Sequence, residues 1–506
     1  MRDERGALIV LALVAFLLRA PHLDMQSLWR DEVDVIRFAN WPLPQLAQNL
    51  VQAGYNGPLY YLLMCGWLRL VGSSEFALRY LPLCFGVLAL PLTYQAGRWL
   101  VERRAAVMTA ALIAISPYLV WYSQDAKMYS LVTVLTLLAL TCQLEALASG
   151  RVRWWVGFVL SASVSLYIHL LSALMIPVYV IVFLLARPHS RRQWWGGLVS
   201  LGLLTLPYVP LAIWQLPLVL KSYETGHPFY PIKDMLSLLL NLYSHGVAMV
   251  GGWLVVTAFV FAMLSGLFSS TGGNLWNRFA GETRSRLLLL LWLFLPVALV
   301  YLISLRAPVF EPRYLIFIAP AFYLLAASGV VALSRLSSIV AGLTLAVVLS
   351  FSLLGVWVQA VTPIKSDFRA AASYVATHRQ GDAPIMFQMP YVRYTFDYYF
   401  GDDYVALEGP WTNDGKPEVE ISHAMAQSLA GYEDVWLVVS ENWLWDARDL
   451  ARTWFDQHAH LVDSASFRLV DVYHYDLSNI QSANTWTTPT SDPPTTQRKG
   501  CECQQE

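Results

Sequence analysis

The chain has 506 residues, 56% of them hydrophobic and only 14% charged, with a mean hydropathy of +0.46. Soluble globular proteins carry about 25% charged residues, so the composition excludes an ordinary soluble domain and points to a polytopic membrane protein. The formal net charge is −1, and with no basic block and no Gly-rich phosphate loop a nucleic-acid partner has no support.

The first apolar run, "ALIVLALVAFLLRA" (Ala7–Ala20), lacks a small-residue cleavage site and reads as a retained span. A span needs about 20 mostly apolar residues. Further candidates follow near 76–97, 105–122, 129–148, 154–168, 169–186, 196–214, 247–268, 287–305, 314–333 and 337–357. The segment Pro58–Val71 is too short to cross comfortably and is assigned to the interface, within an outer loop of residues 21–75. That choice puts Arg98, Arg103 and Arg104, then Arg151 and Arg153, Arg187, Arg191 and Arg192, Arg278, Arg284 and Arg286, and Arg335 on one side. Arg2 and Arg5 join them there. By the positive-inside rule this side is the cytoplasm. The topology predicted is about eleven spans, with the N-terminus inside and the C-terminus outside a cytoplasmic (inner) membrane.

After the last span the composition changes. "SDFRAAASYVATHRQGDAPIMFQ" predicts an amphipathic helix, a turn and an apolar strand, and "EDVWLVVSE", "DARDLARTWFDQH" and "RLVDVYHYDL" predict strand, helix and strand. Asp446 is placed to cap the second helix. The division expected is a transmembrane domain over 1–360, an extracytoplasmic α/β domain over 361–478 and a disordered Ser/Thr/Pro/Gln-rich tail over 479–506. The five cysteines have neither zinc-type spacing nor a disulfide framework.

The unusual polar groups fall on the outer side. Directly after the first span, "SLWRDEVDVIRFAN" carries the adjacent pair Asp31–Glu32. One reading is a wet loop with a helix-capping carboxylate. The other is a general base with a supporting neighbour, because adjacent carboxylates repel and one can titrate high. Asp125 and Lys127 alone would make an ordinary surface ion pair. Lys127, Arg306 and Arg313, however, run against the positive-inside trend, which suits a docked anion such as a lipid phosphate or pyrophosphate. His169, inside an apolar run, reads as a hydrogen-bonded structural histidine or a metal ligand. The turn Tyr55–Pro58 reads as the start of the interfacial helix.

The acidic pair, "GPLYYLLMCGWLRLVGSSEFALRYLPLCFGVLALPLTYQAGRWL", "SPYLVWYSQDAKMYSL", "SLYIHLLSAL" and "PVFEPRYLIFIAP" together resemble the C-type-fold integral-membrane glycosyltransferases. The resemblance is to the protein O-mannosyltransferase-like branch (glycosyltransferase family 39-like), which includes the aminoarabinose lipid A transferase. It covers most of Leu28–Pro320. It implies transfer of a sugar, with inversion, from a polyprenyl-phosphate donor to a glycan, lipid or protein acceptor on the outer face. It casts Asp31 as base and Glu32 as its support. Lys127, Arg313 and Arg306 would hold the donor phosphate, and Tyr122, Gln124, Asp125, Asn56, Tyr60 and Tyr314 would line the cavity. Many relatives carry an acidic residue or His before a Pro-Pro pair, where this chain has "GYNGP". A divalent cation is therefore left open, with Glu32 and His169 as candidate ligands; oxygen-rich ligation would favour Mg or Mn. A transporter or flippase of a lipid-linked glycan would use the same cations without a base. A non-catalytic assembly subunit would display only its outer domain.

Overall fold

The computed structural model describes residues 2–50, 57–186, 188, 190–220, 227–268 and 282–478. Contacts divide the chain into two compact units. One comprises Met1–Ala372 with Tyr394–Gly401 and Phe467–Val470; the other comprises Ser373–Arg393, Asp402–Ser466 and Asp471–Glu506. The tail 479–506 lies outside the described residues.

The first unit is helical. Its helices are α1 (Arg2–Arg19), α2 (Arg30–Ala39), α3 (Leu43–Leu50), α4 (Pro58–Val71), α5 (Glu75–Leu100), α6 (Arg103–Ile115), α7 (Pro117–Ser123), α8 (Tyr129–Ser149) and α9 (Val152–Ile168). They continue as α10 (Met175–Ala186), α11 (Arg191–Leu203), α12 (Thr205–Leu220), α13 (Ile232–His245), α14 (Gly252–Phe268), α15 (Glu282–Ser304), α16 (Ala319–Leu336) and α17 (Ser338–Val361). All eleven apolar segments fall on helix. Among the described residues, five helices are long and apolar enough to cross a bilayer by themselves, and α6 with α7 makes a sixth bent by 57°. Val152–Ile168, Leu170–Ala186 and Gly252–Leu267 are apolar but shorter, as is Pro58–Val71.

Local chemistry sets the breaks. Pro117 cannot continue α6, and Ser116 Oγ instead accepts from Leu119 N (3.2 Å) to cap α7. Ser74 and Ser337 cap α5 and α17 in the same way, and Ser190 with Gln193 forms a capping box on α11. Helix packing rests on small residues where backbones meet. A Cβ on Gly329 of α16 would stand 1.6 Å from Ala262 O of α14, and one on Gly266 would stand 2.6 Å from Leu325 O. Lipid offers helices no hydrophobic drive to associate, so such close approach is what holds α14 to α16.

The second unit is built on a five-stranded sheet of order β2-β1-β3-β5-β4. Its strands are β1 (Ile385–Phe387), β2 (Ala406–Glu408), β3 (Asp434–Val439), β4 (His460–Phe467) and β5 (Val470–Asp476). β1 pairs in parallel with β2 and β3, and β5 runs antiparallel to β3. α20 (Glu418–Ser428) and α21 (Leu450–His458) belong to this unit, α18 (Phe368–His378) begins in the first unit, and α19 (Arg393–Phe400) lies in the first unit from Tyr394 on. β1, β3 and β5 fall where alternation and apolar runs predicted them. β2, of three residues, and the mostly exposed β4 carry too little pattern to be read. Asp446 accepts from Leu450 N (3.0 Å) and Ala451 N (2.9 Å), so it caps α21 from outside the helix.

Candidate active site

Asp31 and Glu32 open α2, in the turn where the helix dipole favours carboxylates. One residue of helix turns a side chain by about 100°, so the two point to different partners. Glu32 is fully buried. Its Oε1 accepts from Arg79 Nε (2.7 Å) and Ala126 N (3.0 Å), and its Oε2 from Arg79 Nη2 (2.6 Å) and Lys365 Nζ (2.9 Å). Arg79 spends its other donors on the carbonyls of Leu23, Gln26 and Ser27 (2.7, 2.7 and 3.2 Å), which fixes the loop ahead of α2. Lys365 also reaches Asp125 Oδ1 (3.0 Å), an atom that Trp29 Nε1 shares at 3.0 Å. Lys365 is placed by Gln26, whose Oε1 accepts from Ile364 N and Lys365 N while its Nε2 donates to Thr362 O. The acidic and basic groups here are matched and hydrogen-bonded, the condition under which buried charge is tolerated.

Asp31 has no such partners. Its side chain is 23% exposed, and Arg313 Nη2 lies 3.9 Å from its Oδ2, an ion pair without a hydrogen bond. Lys127 is buried and donates to Tyr61 Oη at 3.4 Å. Burial raises the Asp31 carboxyl pKa, but the charges of Lys127, Arg313 and Arg30 outweigh it and hold the carboxyl below its ordinary range. Glu32 is likewise held low: burial opposes its charge and Arg79 with Lys365 overcomes it. The expectation that mutual repulsion lifts one carboxyl is therefore corrected, because each acid has cations of its own. Burial works against the Lys127 ammonium too, and Tyr61, Asp31 and Asp34 more than restore it, so it stays charged. Asp34 itself pairs with Arg37 (2.9 Å) at the surface.

Arg313 Nε, beside Asp31, has no partner, and neither do Tyr60 Oη on α4 or the two ring nitrogens of His169. His169 interrupts the chain between α9 and a 3-10 helix (Leu170–Leu174), with its ring 5.3 Å from that of Tyr314. The Arg313 guanidinium sits 5.0 Å above the Trp29 ring and 5.7 Å from that of Tyr314. Tyr122 stacks edge-on to Tyr129 (5.3 Å). Gln124 turns away to donate to Arg19 O (2.8 Å). Arg306 is exposed beyond α15, and Asn56 lies outside the described residues. Among the described residues no group of three or more His, Cys, Asp or Glu could hold a metal ion. Glu32 has its lone pairs filled by two cations and an amide, so neither it nor His169 with it makes a ligand set.

Sequence reading missed Arg79, Lys365 and Trp29. Arg79 had a usable signal, a lone arginine within an apolar run. Lys365 had none. An apolar groove of about 260 Å³ opens elsewhere in this unit, lined from α13 to α16 by residues such as Leu240, Met263, Phe294 and Phe322. It reaches Ile318, which shares a 3-10 helix (Pro312–Ile318) with Arg313.

The fold is that of the C-type integral-membrane glycosyltransferases. It matches ArnT from Cupriavidus metallidurans over 92% of this chain and 97% of ArnT, with a TM-score of 0.58 and 14% identity. ArnT bound to undecaprenyl phosphate matches with a TM-score of 0.56 and 13% identity, over 93% and 98% of the two chains. The archaeal oligosaccharyltransferase AglB from Archaeoglobus fulgidus, in complex with an inhibitory peptide and a dolichol-phosphate, matches over 96% of this chain and 75% of its own. Its TM-score is 0.54 and its identity 13%. By sequence, residues 55–214 match the family described as dolichyl-phosphate-mannose-protein mannosyltransferase. No curated protein matches the chain by sequence.

Proposed function

We propose that the protein is a multi-pass membrane glycosyltransferase that moves a sugar from a polyprenyl-phosphate-linked donor to an acceptor on the outer face of the cytoplasmic membrane. The observation that carries this reading is a half-buried, unsaturated Asp31 facing two cations, the half-buried Arg313 and the buried Lys127. Asp31 takes the proton of the acceptor hydroxyl as that oxygen bonds to the anomeric carbon. The bond from that carbon to the donor phosphate breaks, and the polyprenyl phosphate leaves with the electron pair. Attack opposite the leaving group inverts the anomeric centre. Lys127 and Arg313 stabilise the charge gathering on the phosphate, the main need of a good leaving group. When the phosphate pairs with those cations, their hold on Asp31 weakens and its basicity rises toward the ordinary carboxylate range. His169, Tyr60 and Arg313 Nε offer their unused polar atoms to the sugar-phosphate head. The first isoprene units of the donor's chain lie in the apolar groove lined from α13 to α16, and the rest of the chain stays in lipid. Glu32, Arg79, Asp125 and Lys365 hold the frame.

The arginine-rich loops face the cytoplasm in this reading, which puts the N-terminus inside and the 361–478 segment outside. The test is to measure sugar transfer from a synthetic polyprenyl-phosphate sugar by purified protein in lipid nanodiscs. Mass spectrometry of membrane glycolipids and glycoproteins, with and without the protein, identifies the acceptor. Asp31→Asn should abolish transfer and leave donor binding intact. Transfer at the normal rate by that variant would refute the base. Donor movement across the membrane without transfer would make the protein a transporter.

A further inference from the structure

In the sheet unit, β2 and β3 flank β1, so the strand order reverses between β1 and β3. In open sheets of this kind, ligands bind outside the carboxyl ends of the strands at such a switch point. Gln388 follows β1 there, and Glu441 follows β3 with φ 51°, a left-handed conformation rare for a non-glycine. Gln388 is fully buried and donates to Asp446 Oδ2 (2.8 Å) and Asp449 Oδ1 (2.7 Å), yet its Oε1 has no partner. A buried amide oxygen without a partner is uncommon in a settled protein core.

The loops at this edge carry an aromatic group facing water. The Trp411 and Trp445 rings stack at 5.5 Å with 26° between planes, and Tyr391 meets Trp445 edge-on at 5.9 Å. Trp411, Trp443 and Tyr391 are 49%, 60% and 41% exposed. The backbone beneath them is tightly held. Thr412 donates through N to Trp445 O (3.0 Å) and through Oγ1 to Asp446 Oδ1 (2.6 Å). Asn413 Nδ2 donates to Trp443 O (3.1 Å), Arg448 Nη2 to Thr412 O (2.7 Å), and Trp445 Nε1 to Gly409 O (2.9 Å). Rings exposed on loops this rigid are a prepared surface, since their ordering precedes any ligand.

We propose that this edge is a saccharide-binding subsite that recognises a pyranose ring of the acceptor. The polarised C–H face of a pyranose lies against the electron-rich ring faces of Trp411 and Trp443. Its hydroxyls donate to Gln388 Oε1 and to the carboxylates of Asp449 and Glu441, all acceptors. A membrane-anchoring patch would instead combine aromatics with aliphatic side chains and unpaired cations. Here the nearby cations are paired: Arg448 is tied to Thr412 O and Lys416 O, and Lys416 Nζ to Asp414 (3.1 Å). The proposal rests on the glycosyltransferase reading only in calling the saccharide an acceptor.

Saturation-transfer NMR on the full chain in nanodiscs tests it, with the methyl glycosides of glucose, galactose, mannose and N-acetylglucosamine and with cellobiose as probes. At least one probe should receive saturation on one ring face. Trp411→Ala and Trp443→Ala should each cut that signal more than threefold, and Trp411→Phe should retain part of it. In the transfer assay the alanine variants should raise acceptor KM and leave kcat and donor hydrolysis unchanged. Asp31→Asn should lose transfer yet keep the saccharide signal, which separates failure of the catalytic reading from failure of this one. Equal signal in wild type and both alanine variants, or no signal from any probe, overturns the proposal. Quenching of these tryptophans by spin-labelled lipid would also overturn it, in favour of a membrane anchor.

Discussion

Asp31 and Glu32 are neighbours in the chain and opposites in the structure. Glu32 accepts four hydrogen bonds, two cations among the donors, with no exposed surface. Asp31 is partly open and has one ion pair at 3.9 Å, to an Arg313 whose Nε has no partner. A saturated cluster is finished and supplies structure. An unsaturated one is completed by a ligand, because buried polar atoms left unpaired cost free energy until something binds them. The difference separates a frame from a candidate site within one turn of helix.

Exchanging the two acids for amides breaks the comparison most directly. Asp31→Asn should lower kcat by about 10²–10⁴, the usual contribution of a general base, while thermal unfolding in detergent stays within a degree or two of wild type. Glu32→Gln should do the reverse in kind. Leaving Arg79 and Lys365 buried with less opposing charge should cost about 3–5 kcal/mol of stability, read as a lower unfolding midpoint and poor yield. If Glu32→Gln were stable and merely slow, the frame assignment would be lost.

The cations come next. Lys127→Met and Arg313→Ala should each weaken binding of a polyprenyl phosphate about tenfold to a hundredfold, measured by titration in nanodiscs, with folding retained. Lys365→Met should act on stability rather than on donor affinity.

A smaller effect concerns pH. Because the folded Asp31 pKa is depressed by Lys127, Arg313 and Arg30, the base stays ionised through the ordinary carboxylate range. Its activity is present above that range and falls only as pH drops through the lowered value. The acid limb of kcat/KM should therefore lie below the usual carboxylate pKa. Lys127→Met removes one depressing charge and should move the limb upward; an unmoved limb would mean that Asp31 is not the titrating group. The stability linked to Asp31 has the same sign, present above the unfolded pKa and lost in acid. At the far end of the scale, Gly329→Ala pushes a methyl into Ala262 O and should destabilise the α14–α16 pair by about 1–3 kcal/mol without touching donor affinity.

The helices and the parallel strands β1 and β3 were legible because each depends on local composition. Apolar length sets a membrane helix, and alternating or apolar runs with a cap set a strand or a short helix. Asp31, Lys127 and Arg313 were legible as ionisable residues at odd places. Arg306 looked equivalent to Arg313 by the same test, and only the fold leaves it exposed while setting the half-buried Arg313 beside Asp31.

By itself the sequence determined a membrane bundle followed by an α/β domain, and an acidic pair beside the first span. Which acid is free was decided only by tertiary structure. Glu32 is closed by Arg79, 47 residues on, and by Lys365, 333 residues on. No local pattern encodes those pairings, because the energy that fixes them comes from burying opposite charges together, and burial belongs to the folded chain.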